Sequence, residues 1–104
     1  MRWGRMHYGI DLAIATGTKI RASDGGTVIF SGYSGSYGYV VKIDHGGGFV
    51  TVYAHCSKLH VKVGEKVYQG QHIANVGSTG RSTGPHCHFE VQYLGVQKNP
   101  LNYL

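Results

Sequence analysis

Cysteine is scarce in this sequence: Cys56 and Cys87 are the only two, and no Cys-x-x-Cys pair occurs. That excludes a disulfide framework and a cysteine-rich structural zinc site. No apolar run approaches the ~20 residues that span a bilayer, so stable membrane insertion is not expected of this chain. The N-terminal stretch "MRWGRMHYG" lacks the apolar centre of a signal peptide. Helical runs of Glu, Lys and Ala are missing as well, which leaves no long amphipathic helix. Acidic residues number 5 against 10 lysines and arginines, a net charge of +5 with the histidines neutral. Such a balance favours anionic partners. No two basic residues are adjacent, however, so a dedicated nucleic-acid stripe, and with it a nucleic-acid partner, is not expected.

What is abundant is glycine, at 17 residues, and tyrosine, at 8. A chain of 104 residues accommodates one domain with a modest core. Short runs punctuated by glycine predict strands at 19–22, 26–31, 39–44, 49–57, 72–76 and 86–93. "DHGGGF" reads as a hairpin turn whose glycines supply positive φ. "SGYSGSYG" (31–38) and "GSTGRSTGP" (77–85) are Gly/Ser-rich loops that cannot pack by themselves. Loops of that length in a compact domain are often functional, and these two are expected to flank a groove. The predicted class is all-β: a small antiparallel sheet, barrel-like, in a single domain over 1–104.

"GPHCHFEV" places a thiol between two imidazoles. In a strand, residues two apart share a face, so His86, His88 and Glu90 are expected on one side and Cys87, Phe89 and Val91 on the other. The same alternation in "VTVYAHC" predicts Thr51, Tyr53 and His55 on a polar face, opposite Val50, Val52, Ala54 and Cys56. In "HYGIDL", His7, Gly9 and Asp11 share a parity opposite to Tyr8, Ile10 and Leu12. If these polar faces converge, four imidazoles and one carboxylate meet over a sheet, and both cysteines are packing. His45 sits at the "DHGGG" turn, and His60 and His72 have neither a neighbouring ligand nor a matching pattern; all three are expected to be surface or turn residues.

A catalytic zinc takes three protein ligands and keeps one position for water. H-x-x-x-D and H-x-H both offer same-face pairs, so His7, Asp11, His86 and His88 compete for three places. The remaining histidines can move protons or stabilise a developing oxyanion. Peptide hydrolysis uses those roles without a nucleophilic side chain, and no G-x-S-x-G elbow is present.

"HYGID", "VTVYAH" and "GSTGRSTGPHCHFEV" followed by "NP" resemble the lysostaphin-type zinc endopeptidases of bacterial peptidoglycan, in order and spacing, from His7 to Leu104. The resemblance implies one Zn2+ per chain, held by His7, Asp11 and His88, with His55 and His86 as catalytic residues. It implies peptidoglycan cross-links or stem peptides as substrate, anionic wall polymers as partners, and a site of action outside the cell, in the wall or in the periplasm. Family domains carry more chain before H-x-x-x-D than the six residues that precede His7 here, so a piece of a longer protein is expected. Positions often leucine in the family are Cys56 and Cys87. Two alternatives keep the fold: a non-hydrolytic scaffold that regulates wall enzymes, and a carrier domain, because "VKVGEKVYQGQHIANVGSTG" resembles biotinyl and phosphohistidine carriers.

Overall fold

The computed structural model describes residues 9–13, 15–80, 84, 86–93 and 96–98, with side chains at 15–80, 84 and 87–93. Nine strands lie among them: β1 (Gly9–Ala13), β2 (Lys19–Arg21), β3 (Gly26–Tyr33), β4 (Tyr39–Gly46), β5 (Phe49–Leu59), β6 (Lys66–Val67), β7 (His72–Val76), β8 (His86–Tyr93) and β9 (Val96–Lys98). Every pairing is antiparallel, in the order β1-β8-β5-β4-β3-β6, with β7 linking β2 to β5 and β9 beside β8. The all-β class holds, and no α-helix occurs among the described residues.

The predicted strands at 72–76 and 86–93 keep their bounds, and the others shift at their ends. β1, β6 and β9 were not among the predicted strands; β6 and β9 are 2 and 3 residues long, too short for alternation to register. The "DHGGGF" hairpin forms as expected, with Gly47 at φ 62° and Gly48 at φ 89°. Loop 31–38 is tighter than its composition suggests. β3 runs on to Tyr33, and a 3-10 turn over Gly35–Tyr37 closes the hairpin, with Ser34 N–H donating to the Gly38 carbonyl at 2.9 Å.

β5 is the corner of the molecule. Its first part, up to Ala54, pairs with β8, and its last part, from Cys56, pairs with β7. On one face of the large sheet Val28, Val41, Ile43, Tyr53, Cys87, Phe89 and Val91 pack against Ile20, Ile73, Ala74 and Val76 of the small β2–β7 layer. On the other face Val40, Val52 and Ala54 pack with Phe30, Tyr37 and Val50. This reverses the expected sidedness of β5, where Thr51 and Tyr53 were assigned to the polar face and the valines to the core. The strand is buried from Thr51 to Cys56 on both sides, and a strand covered on both faces carries no usable alternation.

Candidate metal and catalytic site

The central strand β8 organises the site. Asp11 of β1 and Ala54 of β5 stand opposite His88 in register, while Gly9 and Val52 stand opposite Glu90. Directly opposed residues of an antiparallel sheet share a face. The His88 and Glu90 side chains therefore lie on the Val52–Ala54 face, away from the larger core. His86 stands opposite Ala13. His7 lies outside the described residues, and for Asp11 and His86 only the backbone is described.

His55 reaches this face by breaking the strand. Plain alternation would send it with Tyr53 into the core. Instead it has φ 61°, the only positive value among the described non-glycine residues. Between Tyr53 and Cys56 β5 advances three residues while β4, between Tyr39 and Val41, advances two. That is a β-bulge at the place where β5 changes partners, the usual device for a sheet corner and for re-aiming a side chain. The left-handed conformation costs roughly 1–2 kcal/mol in a non-glycine residue. It brings the His55 ring to 6.0 Å from that of His88, centroid to centroid, at 65°, and lets Cys56 turn back into the core.

Thr79 holds the bulge in place. Its carbonyl accepts from His55 Nδ1 at 2.8 Å, its hydroxyl donates to the Cys56 carbonyl at 2.5 Å, and the same oxygen accepts from Tyr39 N–H at 3.1 Å. A carbonyl only accepts, so Nδ1 of His55 carries its hydrogen and, in the neutral ring, Nε2 is the basic nitrogen. His55 is buried to 8% exposure.

His88 is oriented from behind. Its Nε2 donates to Glu90 Oε1 at 2.8 Å, and Tyr37 Oη donates to both carboxylate oxygens of Glu90 at 2.9 and 3.0 Å. Gln92 Nε2 adds a contact at 3.3 Å. Burial pushes the Glu90 carboxyl upward, but the hydrogen bonds from His88, Tyr37 and Gln92 outweigh it and hold the group below the usual glutamate value. The carboxylate stays ionised and fixes the His88 tautomer, with the hydrogen on Nε2. A carboxylate behind a ligating imidazole is the usual support of a zinc histidine. Imidazole and carboxylate donors in this register fit zinc.

Of the residues read from the sequence, the structure joins the side chains of His55 and His88 and sets the backbones of Asp11 and His86 beside them. Glu90 shares the parity of His88 in the sequence but received no role there. Tyr37 and Thr79, both in loops, carry no sequence signal at all. Cys56 and Cys87 are buried thiols of the core, on the opposite side from His88. His45 is not a plain turn residue. Its ring bridges the Gly25 carbonyl (2.7 Å) and Thr51 Oγ1 (2.6 Å), and Thr51 donates to Tyr53 Oη at 2.9 Å. The expected groove between loops 31–38 and 77–85 also needs correction over its described part. A Cβ on Gly38 would stand 2.4 Å from the Thr79 carbonyl carbon, and one on Gly80 would stand 2.3 Å from Gly38 N. The backbones touch where side chains are missing, so these loops form one joined wall beside His55.

The sequence profile of "Peptidase family M23" matches residues 5–100. Over 96 residues the chain is 43% identical to the peptidoglycan DD-endopeptidase ShyC of Vibrio cholerae, covering 92% of this chain and 22% of that protein. The chain thus spans under a quarter of the length of that curated relative. The catalytic domain of the antimicrobial peptidase lysostaphin from Staphylococcus simulans superposes with a TM-score of 0.88 at 34% identity, over 93% of this chain and 77% of that one. A zinc-containing peptidase from Vibrio cholerae superposes with a TM-score of 0.85 at 38% identity, over 88% of this chain and 28% of the other.

Proposed function

This chain belongs to peptidase family M23, and from that membership we propose that it is a zinc-dependent endopeptidase acting on the peptides of bacterial peptidoglycan. The observation that carries the reading is the strained bulge at His55, which brings its ring to 6.0 Å from that of His88. A buried non-glycine residue in the left-handed region is stabilised by its surroundings only where they over-determine it, and such outliers cluster at active sites.

In this reading His7, Asp11 and His88 hold the metal, His88 through Nδ1. Bound zinc would supply a Lewis acid that polarises the scissile carbonyl and lowers the pKa of water. His55 is the general base: Nδ1–H is anchored on the Thr79 carbonyl, so Nε2 takes the proton and passes it on without the ring turning. That role is worth about 10²–10⁴-fold in rate. His86 donates to the developing oxyanion or to the leaving amine. Glu90 and Tyr37 keep the His88 ring from rotating. An extended peptide lies along the His88 face beside the joined wall of loops 31–38 and 77–80, whose residues are Gly, Ser, Thr and Tyr. Such a wall suits small residues, such as glycine bridges or D-Ala-containing stems, better than large apolar ones. Anionic wall polymers attract the +5 chain, and the place of action is the wall or the periplasm.

Purified peptidoglycan incubated with the chain is the test. We expect new peptide ends without chelator and none with it, with casein left largely intact. Casein cut readily while wall peptides are untouched would overturn the substrate. No cleavage under either condition, with zinc bound, would favour the scaffold.

A further inference from the structure

The outer face of the small layer formed by β2, β7 and the end of β5 is cationic in a way that the scattered basic residues of the sequence conceal. Register aligns its side chains in two rows across the three strands. Lys19, Asn75 and Lys58 form one, since Lys19 and Lys58 both stand opposite Asn75. Arg21, His72 and His60 form the other: Arg21 stands opposite His72, and the His60 and His72 rings lie 4.3 Å apart. Neighbouring strands are about 4.8 Å apart and alternate residues about 6.7 Å, so six side chains share a small patch. Lys19, Arg21, Lys58 and His60 are exposed, while Ile20, Ile73 and Ala74 face the core. No aspartate or glutamate occurs in these segments.

The imidazole pair is tied to Asn75. Asn75 Nδ2 donates to the Gly17 carbonyl at 2.7 Å, which turns Oδ1 toward the rings. That oxygen receives His60 Nε2 and, at 3.3 Å, His72 Nε2. An amide oxygen only accepts, so both Nε2 atoms carry hydrogen. Those two N–H groups are spent on Asn75, so the rings are held in place and the charge of the face comes from Lys19, Arg21 and Lys58.

We infer that this face docks a linear polyanion of phosphodiester chemistry. Lysine serves phosphate as a point charge and arginine as a planar fork, and both are present in the two rows. A lipid surface fits less well. Among the described residues the exposed large apolar ones, Ile29, Tyr33, Tyr39, Val63, Tyr68 and Tyr93, all lie outside these three segments, so none of them gives the face an anchor in an acyl region. The inference deepens the reading that anionic wall polymers retain the chain, and it rests on that reading while being independent of peptide cleavage.

The test measures binding of the 104-residue chain to synthetic poly(glycerol phosphate) across a salt series, beside Lys19→Gln/Lys58→Gln and the charge-matched control Lys62→Gln/Lys66→Gln, with folding checked by circular dichroism. The face variant should lose on the order of tenfold in affinity at low salt and lower the log–log salt slope by about 1.5, two contacts' worth, while the control keeps both near the parent values. If the parent does not bind, the inference and the retention reading both fail. If the parent binds and the two variants lose equally, the retention reading stands and the face assignment is overturned. Tighter binding to phosphatidylglycerol vesicles than to the polymer also overturns it.

Discussion

At the scale of single residues, His55 combines a backbone cost with a chemical role, and the two can be separated. Glycine adopts φ 61° without the steric penalty, so His55→Gly should lose activity and yet keep or gain stability, by up to about 1 kcal/mol. His55→Ala keeps the strain and loses the ring. Urea denaturation and turnover on wall peptides, with zinc content by metal analysis, check this. Both variants should retain zinc and lose about a hundredfold or more in turnover. A stability loss in His55→Gly larger than in His55→Ala would show that the bulge is not strained. Loss of zinc in either would place His55 among the ligands.

At the scale of elements, the wall beside His55 exists because two loops approach backbone to backbone. Gly35 and Gly80 both have positive φ, at 49° and 73°, but a Cβ on Gly35 meets open space, whereas one on Gly80 meets Gly38 N at 2.3 Å. Gly35→Ala should therefore cost only the left-handed penalty, about 1 kcal/mol. Gly80→Ala should add a clash that neither backbone can absorb cheaply, a further ~1–3 kcal/mol. It should also lower turnover, because the Thr79 carbonyl that orients His55 moves with the loop. Equal melting shifts for the two variants would mean that the loops do not meet. The β5 corner follows the same logic: one bulge lets a single strand serve the β8 sheet with its first part and the β7 layer with its last.

At the scale of the whole molecule, stability responds to alkaline pH through the core thiol. Burial pushes Cys56 up from 9.0 to about 12, with the nearby Cys87 adding to it. The fold thus prefers the protonated thiol. Its contribution is fully present below the unfolded value near 9 and is lost as pH rises toward 12. Within that window each pH unit removes at most about 1.4 kcal/mol. Urea denaturation from pH 8 to 11 should show a falling stability whose slope is shallower in Cys56→Ala. The cavity in that variant shifts the whole curve down but not its slope. Identical slopes would show that the thiol titrates normally.

The sequence by itself determined the all-β class, the turn at "DHGGGF", the burial of both cysteines and the ordered set of His and Asp positions. Each depends on local chemistry: glycine dihedrals, two-residue periodicity, and ligand types at strand spacing. It misassigned the faces of β5, because Thr51, Tyr53, Val52 and Ala54 are all buried and alternation needs one wet side to be legible. It also brought His55 to the polar face by parity, whereas the ring arrives there by a bulge that cancels parity. Tertiary structure alone decided that Tyr37 closes on Glu90 behind His88, that Thr79 anchors His55, and that Lys19, Arg21 and Lys58 form one cationic face. Those partners are 53, 24 and about 40 residues apart or join three separate strands. Contacts across such separations are set by register and by the sheet corner, and neither leaves a periodic trace in the chain.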